Sequence, residues 1–259
     1  MTKTATAHER PILTVDVALL ALIDQRLHVA LAPRAAAPFK GQLALPGGYV
    51  RVDADADTDQ TARRVLREKL GFEPAHLEQA CTESGPARDP RGWSASVVYL
   101  ALHAADALQP LADDERITLH DIEALPALAF DHNRLIALAA QRLRAKSAYT
   151  SIVAHLLHDE FTIPQVQAAF EAVTGHRMNA ANFRRKILET GALRETRIVP
   201  AAYAGAGLSV GRAPDGLRPE SGALNGRRRS AGSDGATPAP GPAPRPPPAR
   251  CALRPGSCR

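Results

Sequence analysis

Residues Leu13–Ile23 form an apolar run interrupted only by Thr14 and Asp16, and such a run reads as a buried strand. Asp24-Gln25 supplies a turn, and Leu27–Leu31 makes a second strand, so the pair predicts a hairpin. A loop with Pro33, Pro38 and Gly41 follows, then a short strand over Leu43–Val50 that carries the pair Gly47-Gly48. Ala62, Val65, Leu66 and Leu70 recur at helical spacing, which predicts a helix over Thr58–Leu70. Asp57 or Thr58 can cap its start, and Gly71 stops it. Leu77–Thr82 and Trp93–His103 read as further strands, the second rich in β-formers at Val97, Val98 and Tyr99. Asp131 then caps a helix over His132–Lys146. Residues 10–146 thus predict an α/β sandwich with a mixed sheet.

Residues 147–196 have a different rhythm. A short helix is expected over Tyr149–His158. Thr162-Ile163-Pro164-Gln165 has the form of a capping box, opening a helix whose apolar face is Val166, Ala169, Phe170 and Val173 and which Gly175 ends. Asn179 caps a third helix, Ala180–Glu189, with Phe183, Ile187 and Leu188 inward; Gly191 ends it, and Ala192–Thr196 begins a strand. Three short helices and a strand in so short a stretch suit a winged helix-turn-helix.

Composition narrows the setting. The chain has 259 residues, 45% of them hydrophobic but only 4% aromatic, so its core is built of Ala, Leu, Val and Ile. No apolar run reaches 18 residues, and Met1–Arg10 lacks the apolar stretch of a secretory signal, so a cytoplasmic protein is expected. Of the cysteines Cys81, Cys251 and Cys258, two fall in the last segment, which leaves no disulfide framework or zinc pattern. The net charge of +5 suggests a polyanionic partner, yet residues 197–259 hold ten arginines against three acids, so the excess lies there. That segment also holds 11 of the 21 prolines and is expected to be a disordered tail. Two origins stay open for it: a flexible basic tail, or a wrong reading frame of a GC-rich gene.

Leu45-Pro46-Gly47-Gly48, together with Arg64-Val65-Leu66-Arg67-Glu68-Lys69-Leu70-Gly71-Phe72, resembles the Nudix box. In that loop–helix–loop, carboxylates converge on magnesium ions that neutralise a diphosphate and supply the attacking water. Here Val65 and Lys69 stand where two of the acids belong, and the upstream acid falls near Ala54, in a loop two residues longer than usual. Glu68 is the one box carboxylate retained, and so the one catalytic and metal-ligand candidate. An ammonium about 4 Å from a metal ion costs several kcal/mol even at moderate dielectric. Asp53, Asp55 and Asp57 in the preceding loop either compensate or serve as solvated acids and a helix cap.

Binding does not need hydrolysis. The candidate ligand residues are Arg34, Phe39, Gly47, Gly48 and Arg64, with Arg88, Arg91 and Trp93 from the cluster Arg88-Asp89-Pro90-Arg91-Gly92-Trp93. Two guanidinium groups suit a diphosphate, and an indole suits a nucleobase face. The plain alternative is a surface turn leading into a strand. With Pro38–Gly41, Leu45–Tyr49, Arg64–Lys69 and Leu128–His132, the cluster resembles the Nudix-related transcriptional regulators of NAD metabolism, over about residues 10–196. The resemblance implies a Nudix α/β/α sandwich followed by a winged helix-turn-helix. It also implies ADP-ribose or a related NAD-derived nucleotide as ligand, and an operator near NAD-synthesis genes as partner.

Within the second half, Arg177, Asn182, Arg184, Arg185 and Lys186 are the DNA-binding candidates: Arg and Asn for base edges, the remaining cations for phosphates. An ordinary basic helix surface is the alternative. The relatives continue into a two-stranded wing, whereas the sequence from Arg197 does not resemble one; if the tail is genuine, the second wing strand is expected to be missing. The leading expectation is an ADP-ribose-sensing repressor acting as a homodimer on a palindromic operator, with no required cofactor. The second is a Mg2+-dependent ADP-ribose pyrophosphatase built on Glu68 and the aspartate loop. A third is a nucleotide-binding remnant without a DNA target.

Overall fold

The computed structural model describes residues 10–148, 150–189, 193–199 and 207–212, with the backbone alone for 194–199 and 207–212. Strand β1 (Ile12–Ile23) turns through Asp24 and Gln25, both at positive φ, into β2 (Arg26–Pro33). That pairing gives the hairpin read from the sequence, since turns with two positive φ values match the strand twist. β1 also runs parallel to β6 (Ser94–Leu102), which pairs antiparallel with β5 (His76–Gly85). One parallel pair among antiparallel ones makes the sheet mixed, as expected.

The sheet is covered on both faces. Val15, Val17, Leu19 and Ala21 of β1 join a cluster with Ala62, Leu66 and Leu70 of helix α1 (Thr58–Leu70). The intervening Ala18 and Leu20 join the opposite cluster, with Leu135, Ile136, Ala139 and Leu143 of helix α3 (His132–Ser147). A strand with helices on both sides has no wet face, which is why Leu13–Ile23 shows no alternation.

The sequence pattern missed the smaller elements. Leu43–Val50 is not one strand: β3 (Leu43–Ala44) pairs with β2, Pro46 interrupts, and β4 (Gly47–Tyr49) pairs with β1. A 3-10 turn at Ala105–Leu108, the short helix α2 (Gln109–Asp113) and β7 (Thr118–Asp121) fill the stretch before α3. Each is too short to display a period. The helix expected from Tyr149 is a 3-10 helix at Ile152–Leu156. Tyr149 itself, Gly191 and Ala192 lie outside the described residues.

Two short elements begin the second half: β8 (Glu160–Thr162) and α4 (Ile163–Thr174), with the Thr162–Gln165 capping box formed. Helix α5 (Ala180–Glu189) follows, and the Asn179 side chain accepts from the Asn182 amide. The expectation of a missing wing strand is corrected. β9 (Leu193–Val199) continues through Arg197, and β10 (Gly207–Arg212) pairs with both β9 and β8. Backbone pairing needs no particular side chains, so a weak β pattern in a Gly- and Ala-rich stretch hid this hairpin. The tail expected from residue 197 is corrected to the same extent, since 197–199 and 207–212 are strand; its remaining residues lie outside the described ones.

The two halves share one core. Ile152, Val153 and Leu156, with Val166, Ala169 and Phe170 of α4, belong to the same buried cluster as Leu135, Ala139 and Leu143 of α3. Among the described residues, no helix is long and apolar enough to cross a membrane.

Candidate nucleotide pocket and DNA-facing helix

A cleft of about 720 Å3 opens between the C-terminal half of α1, the chain at Leu45–Tyr49 and the loop before β6. Seven cationic side chains line it (Arg34, Arg51, Arg64, Lys69, Arg88, Arg91 and Arg116) against the four acids Asp16, Glu68, Asp89 and Glu115. An anionic ligand is the natural occupant.

The glycines belong to the wall. A Cβ on Gly47 would lie 2.0 Å from Asp16 Oδ1 and 2.9 Å from the Val15 carbonyl, and one on Gly48 would lie 3.0 Å from Val65 Cγ2. The chain can cross β1 and α1 this closely only without side chains.

At the cleft floor the buried Asp16 accepts a 2.6 Å hydrogen bond from Ser96 Oγ. Its other oxygen lies 3.7 Å from His132 Nε2. Nδ1 of His132 accepts from the Leu45 amide at 2.9 Å, so the ring's proton sits on Nε2, toward Asp16. Burial pushes the His132 pKa below the usual histidine value, against the pull of Asp16, and the ring is neutral.

Several expected ligand residues have structural partners. Arg64 grips Asp55 through two hydrogen bonds of 2.7 and 2.6 Å, donates to the Tyr49 carbonyl at 2.9 Å, and reaches Glu68 at 3.3 Å. It holds the pre-helical loop shut, while lining the cleft. The Asp55 side chain is 2% exposed, and the Arg64 guanidinium holds its carboxyl far below the usual carboxylate range. Asp57 accepts from the Gln60 amide at 2.8 Å and is the helix cap, settling the choice between Asp57 and Thr58.

Glu68 takes a two-pronged grip from Arg51, at 2.7 and 2.9 Å, and this lowers its pKa. Lys69 lines the cleft, and loss of water around its ammonium lowers its pKa.

Arg34 lies 4.5 Å over the Phe130 ring and donates to the Pro38 carbonyl at 2.8 Å. Burial, with repulsion from Arg91, lowers its pKa. Arg91 is paired with Asp89, reaches the Tyr49 hydroxyl, and lies 5.7 Å from the Phe130 centroid. Arg88 is engaged by Asp131. That pairing corrects the capping expectation: Asp131 occupies the N-cap position of α3 but makes no cap hydrogen bond.

Phe39 and Trp93 stand apart from the cleft lining. Phe39 is exposed and packs edge-on against the cleft residue Phe130, with centroids 4.9 Å apart. Trp93 is 48% exposed at the head of β6. It is not among the residues that line the cleft, although its neighbours Arg91 and Ser94 are.

Asp16, Tyr49, Arg51, Arg116, Phe130 and His132 line the cleft without having been singled out as ligands. A signal existed for Asp16, as the one acid inside an otherwise apolar strand.

In the second half, Gly175 ends α4 in the left-handed region, and Glu171 Oε1 accepts from the Met178 amide at 2.8 Å and from Gln167 at 3.0 Å. These bonds fix the turn between α4 and α5. Phe183 packs on Phe170 with centroids 5.4 Å apart, and Ile187 is buried. The opposite face of α5 therefore leaves Asn182, Arg184 and Arg185 exposed, with Lys186 half-buried and Arg177 exposed in the turn before.

Residues 13–139 match the NUDIX domain, and residues 153–204 match the NrtR DNA-binding winged helix domain. The ADPR responsive transcriptional repressor NtrR of Acinetobacter baylyi is 36% identical over 190 residues, covering 72% of this chain and 76% of that protein. The chain belongs to the NrtR family. A crystal structure of Shewanella oneidensis NrtR complexed with a 27mer DNA superposes with a TM-score of 0.72 at 35% identity, covering 78% of this chain and 94% of the NrtR chain. Within the Nudix half, the ADP-ribose pyrophosphatase of Methanocaldococcus jannaschii is 32% identical over 120 residues, or 46% of this chain and 70% of the enzyme. As in its NrtR relatives, the Nudix fold here is joined to a winged helix.

Proposed function

We propose that this chain is a nucleotide-responsive transcriptional repressor. Its Nudix cleft takes up ADP-ribose or a related NAD-derived nucleotide, and its winged helix binds an operator beside NAD-metabolism genes. The observation that carries this reading is one apolar core running from a cation-rich cleft to a helix that presents Asn182, Arg184 and Arg185 to solvent. The relative that responds to ADP-ribose and the relative solved on DNA support the two halves.

In this reading Arg34, Arg88 and Arg91 face the ligand's phosphates, Gly47 and Gly48 let it approach the backbone, and Arg64 keeps the wall in place. Arg177, Asn182, Arg184, Arg185 and Lys186 face DNA, with two copies of the chain on a palindromic site in the cytoplasm. The test is a gel shift of the full chain on the DNA upstream of NAD-synthesis genes, at low salt, with and without ADP-ribose. A shift that ADP-ribose alters is expected. Failure of a folded chain to shift the DNA at low salt ends the proposal.

The likeness to a pyrophosphatase and the retained Glu68 favour a second reading, Mg2+-dependent hydrolysis of ADP-ribose. Magnesium-dependent AMP release that disappears in Glu68→Gln is the result that establishes it. Of the three loop acids that reading needs as compensation, Asp55 and Asp57 are held by Arg64 and the Gln60 amide, while Asp53 is exposed.

A further inference from the structure

The Nudix family implies divalent metal in this cleft, and the residues present do not fit it. Metal-held diphosphates need carboxylates that converge with free lone pairs. In the box helix, two of the acid positions are Val65, buried beneath Gly48, and Lys69. Glu68 accepts two hydrogen bonds from Arg51 and a third from Arg64. Asp55 accepts two from Arg64, one from the Arg51 amide and one from Thr61. Among the described residues, no group of three or more His, Cys, Asp or Glu side chains could hold a metal ion.

We infer that the cleft holds a diphosphate on side-chain cations instead, with Arg51 and Lys69 standing in for the divalent ions. This rests on the nucleotide reading above. Arg51 enters the cleft from the loop before α1, and Lys69 from the last turn of the helix. Glu68 lines the same cleft, and the Arg51 guanidinium balances its charge at 2.7 Å.

Both partners of that pair are about half exposed, at 51% and 46%, so the pair itself contributes little. A diphosphate carries more charge than one carboxylate and offers oxygens matched to the guanidinium fork. It therefore competes for Arg51 while Lys69 meets it as a point charge. Seven cations against four acids leave the lining net positive before any ion is added. A metal ion would meet that positive field and a lysine at its own position. The ligand class is a diphosphate-bridged nucleotide, and recognition is independent of Mg2+.

The experiment is calorimetric titration of the full-length protein with ADP-ribose and, separately, with inorganic pyrophosphate, each in EDTA and in Mg2+. Equal ADP-ribose affinity in both buffers is expected, with a loss of tenfold or more in Arg51→Gln and in Lys69→Gln. Thermal melts confirm that each variant is folded, and the two sit on separate elements, so they do not fail together. A tenfold fall in affinity on adding EDTA overturns the inference, as does unchanged binding in both folded variants. Pyrophosphate binding in EDTA that both variants lose, without ADP-ribose binding, keeps the cation site and overturns the ADP-ribose reading. Binding of neither probe overturns both.

Discussion

The guanidinium of Arg88 forks the carboxylate of Asp131 through two hydrogen bonds of 2.8 Å. The pair joins the loop before β6 to the first turn of α3. At its far end, α3 touches the second half of the chain, where Arg144 donates to the Val173 carbonyl of α4 at 3.3 Å. Both paired side chains are largely buried. Removing one partner by Arg88→Ala or Asp131→Ala is expected to cost about 2 kcal/mol, between the exposed-pair and buried-pair limits. Urea unfolding of the two single variants and the double variant checks this, and a double-variant loss equal to the sum of the singles would show that the pair is not coupled.

Gly47→Ala tests how the cleft wall is built. The added methyl meets the Asp16 carboxylate at 2.0 Å and the Val15 carbonyl at 2.9 Å. Overpacking of this kind costs roughly 1–3 kcal/mol or more. A lowered thermal midpoint and weakened ADP-ribose binding are both expected. Asp16→Ala in the same chain relieves only part of the loss, because the backbone carbonyl remains. An unchanged midpoint in Gly47→Ala would contradict the close crossing.

Stability depends on pH through His132. Burial lowers its pKa in the folded protein from an ordinary value of 6.5. As the pH falls below about 6.5, the unfolded chain takes up a proton that the folded chain does not. Stability is therefore full above that value and declines below it. His132→Asn, whose Oδ1 takes the place of Nδ1 as acceptor for the Leu45 amide, should flatten the dependence of the urea midpoint between pH 8 and pH 5.5. An equal slope in the variant would assign the dependence elsewhere.

Asp55 acts at lower pH and in the same direction. Its folded pKa lies far below the usual carboxylate range because of Arg64. Its contribution is present above the ordinary carboxylate pKa of about 3.9 and is lost as pH falls through the folded value. Asp55→Asn should be less stable than the parent at pH 7, with the gap narrowing toward pH 3. Chemical unfolding at the two values gives the comparison.

Arg184 and Arg185 stand exposed on α5. Alanine at either position is expected to weaken operator binding. Loss of a residue that holds a phosphate reduces the magnitude of the slope of log affinity against log salt by about one. A residue that reads a base instead relaxes preference at one operator position. Anisotropy titrations at several salt concentrations, on matched and altered operators, separate the two. Unchanged affinity in the double variant would remove α5 from the interface.

Long, regular patterns were decisive along the chain alone. The helical spacing from Ala62 to Leu70, the unbroken apolar run from Leu13 to Ile23 and the capping box at Thr162 each predict an element that the structure contains. Their signals are local, because burial repeats with the period of the element and caps act within one turn. The substitutions at Val65 and Lys69 were equally plain, since they are matters of residue identity.

Only the tertiary structure decided which charges are engaged. Arg64 with Asp55, Arg51 with Glu68 and Arg88 with Asp131 pair across separations of 9, 17 and 43 residues. No periodicity records such distances. The same holds for the exposure of Trp93, for the Asp16–His132 floor and for the β9–β10 pairing beyond Arg197. A charged side chain's role depends on what folding brings within about 3 Å of it, and a wing strand's on the partner that accepts its hydrogen bonds.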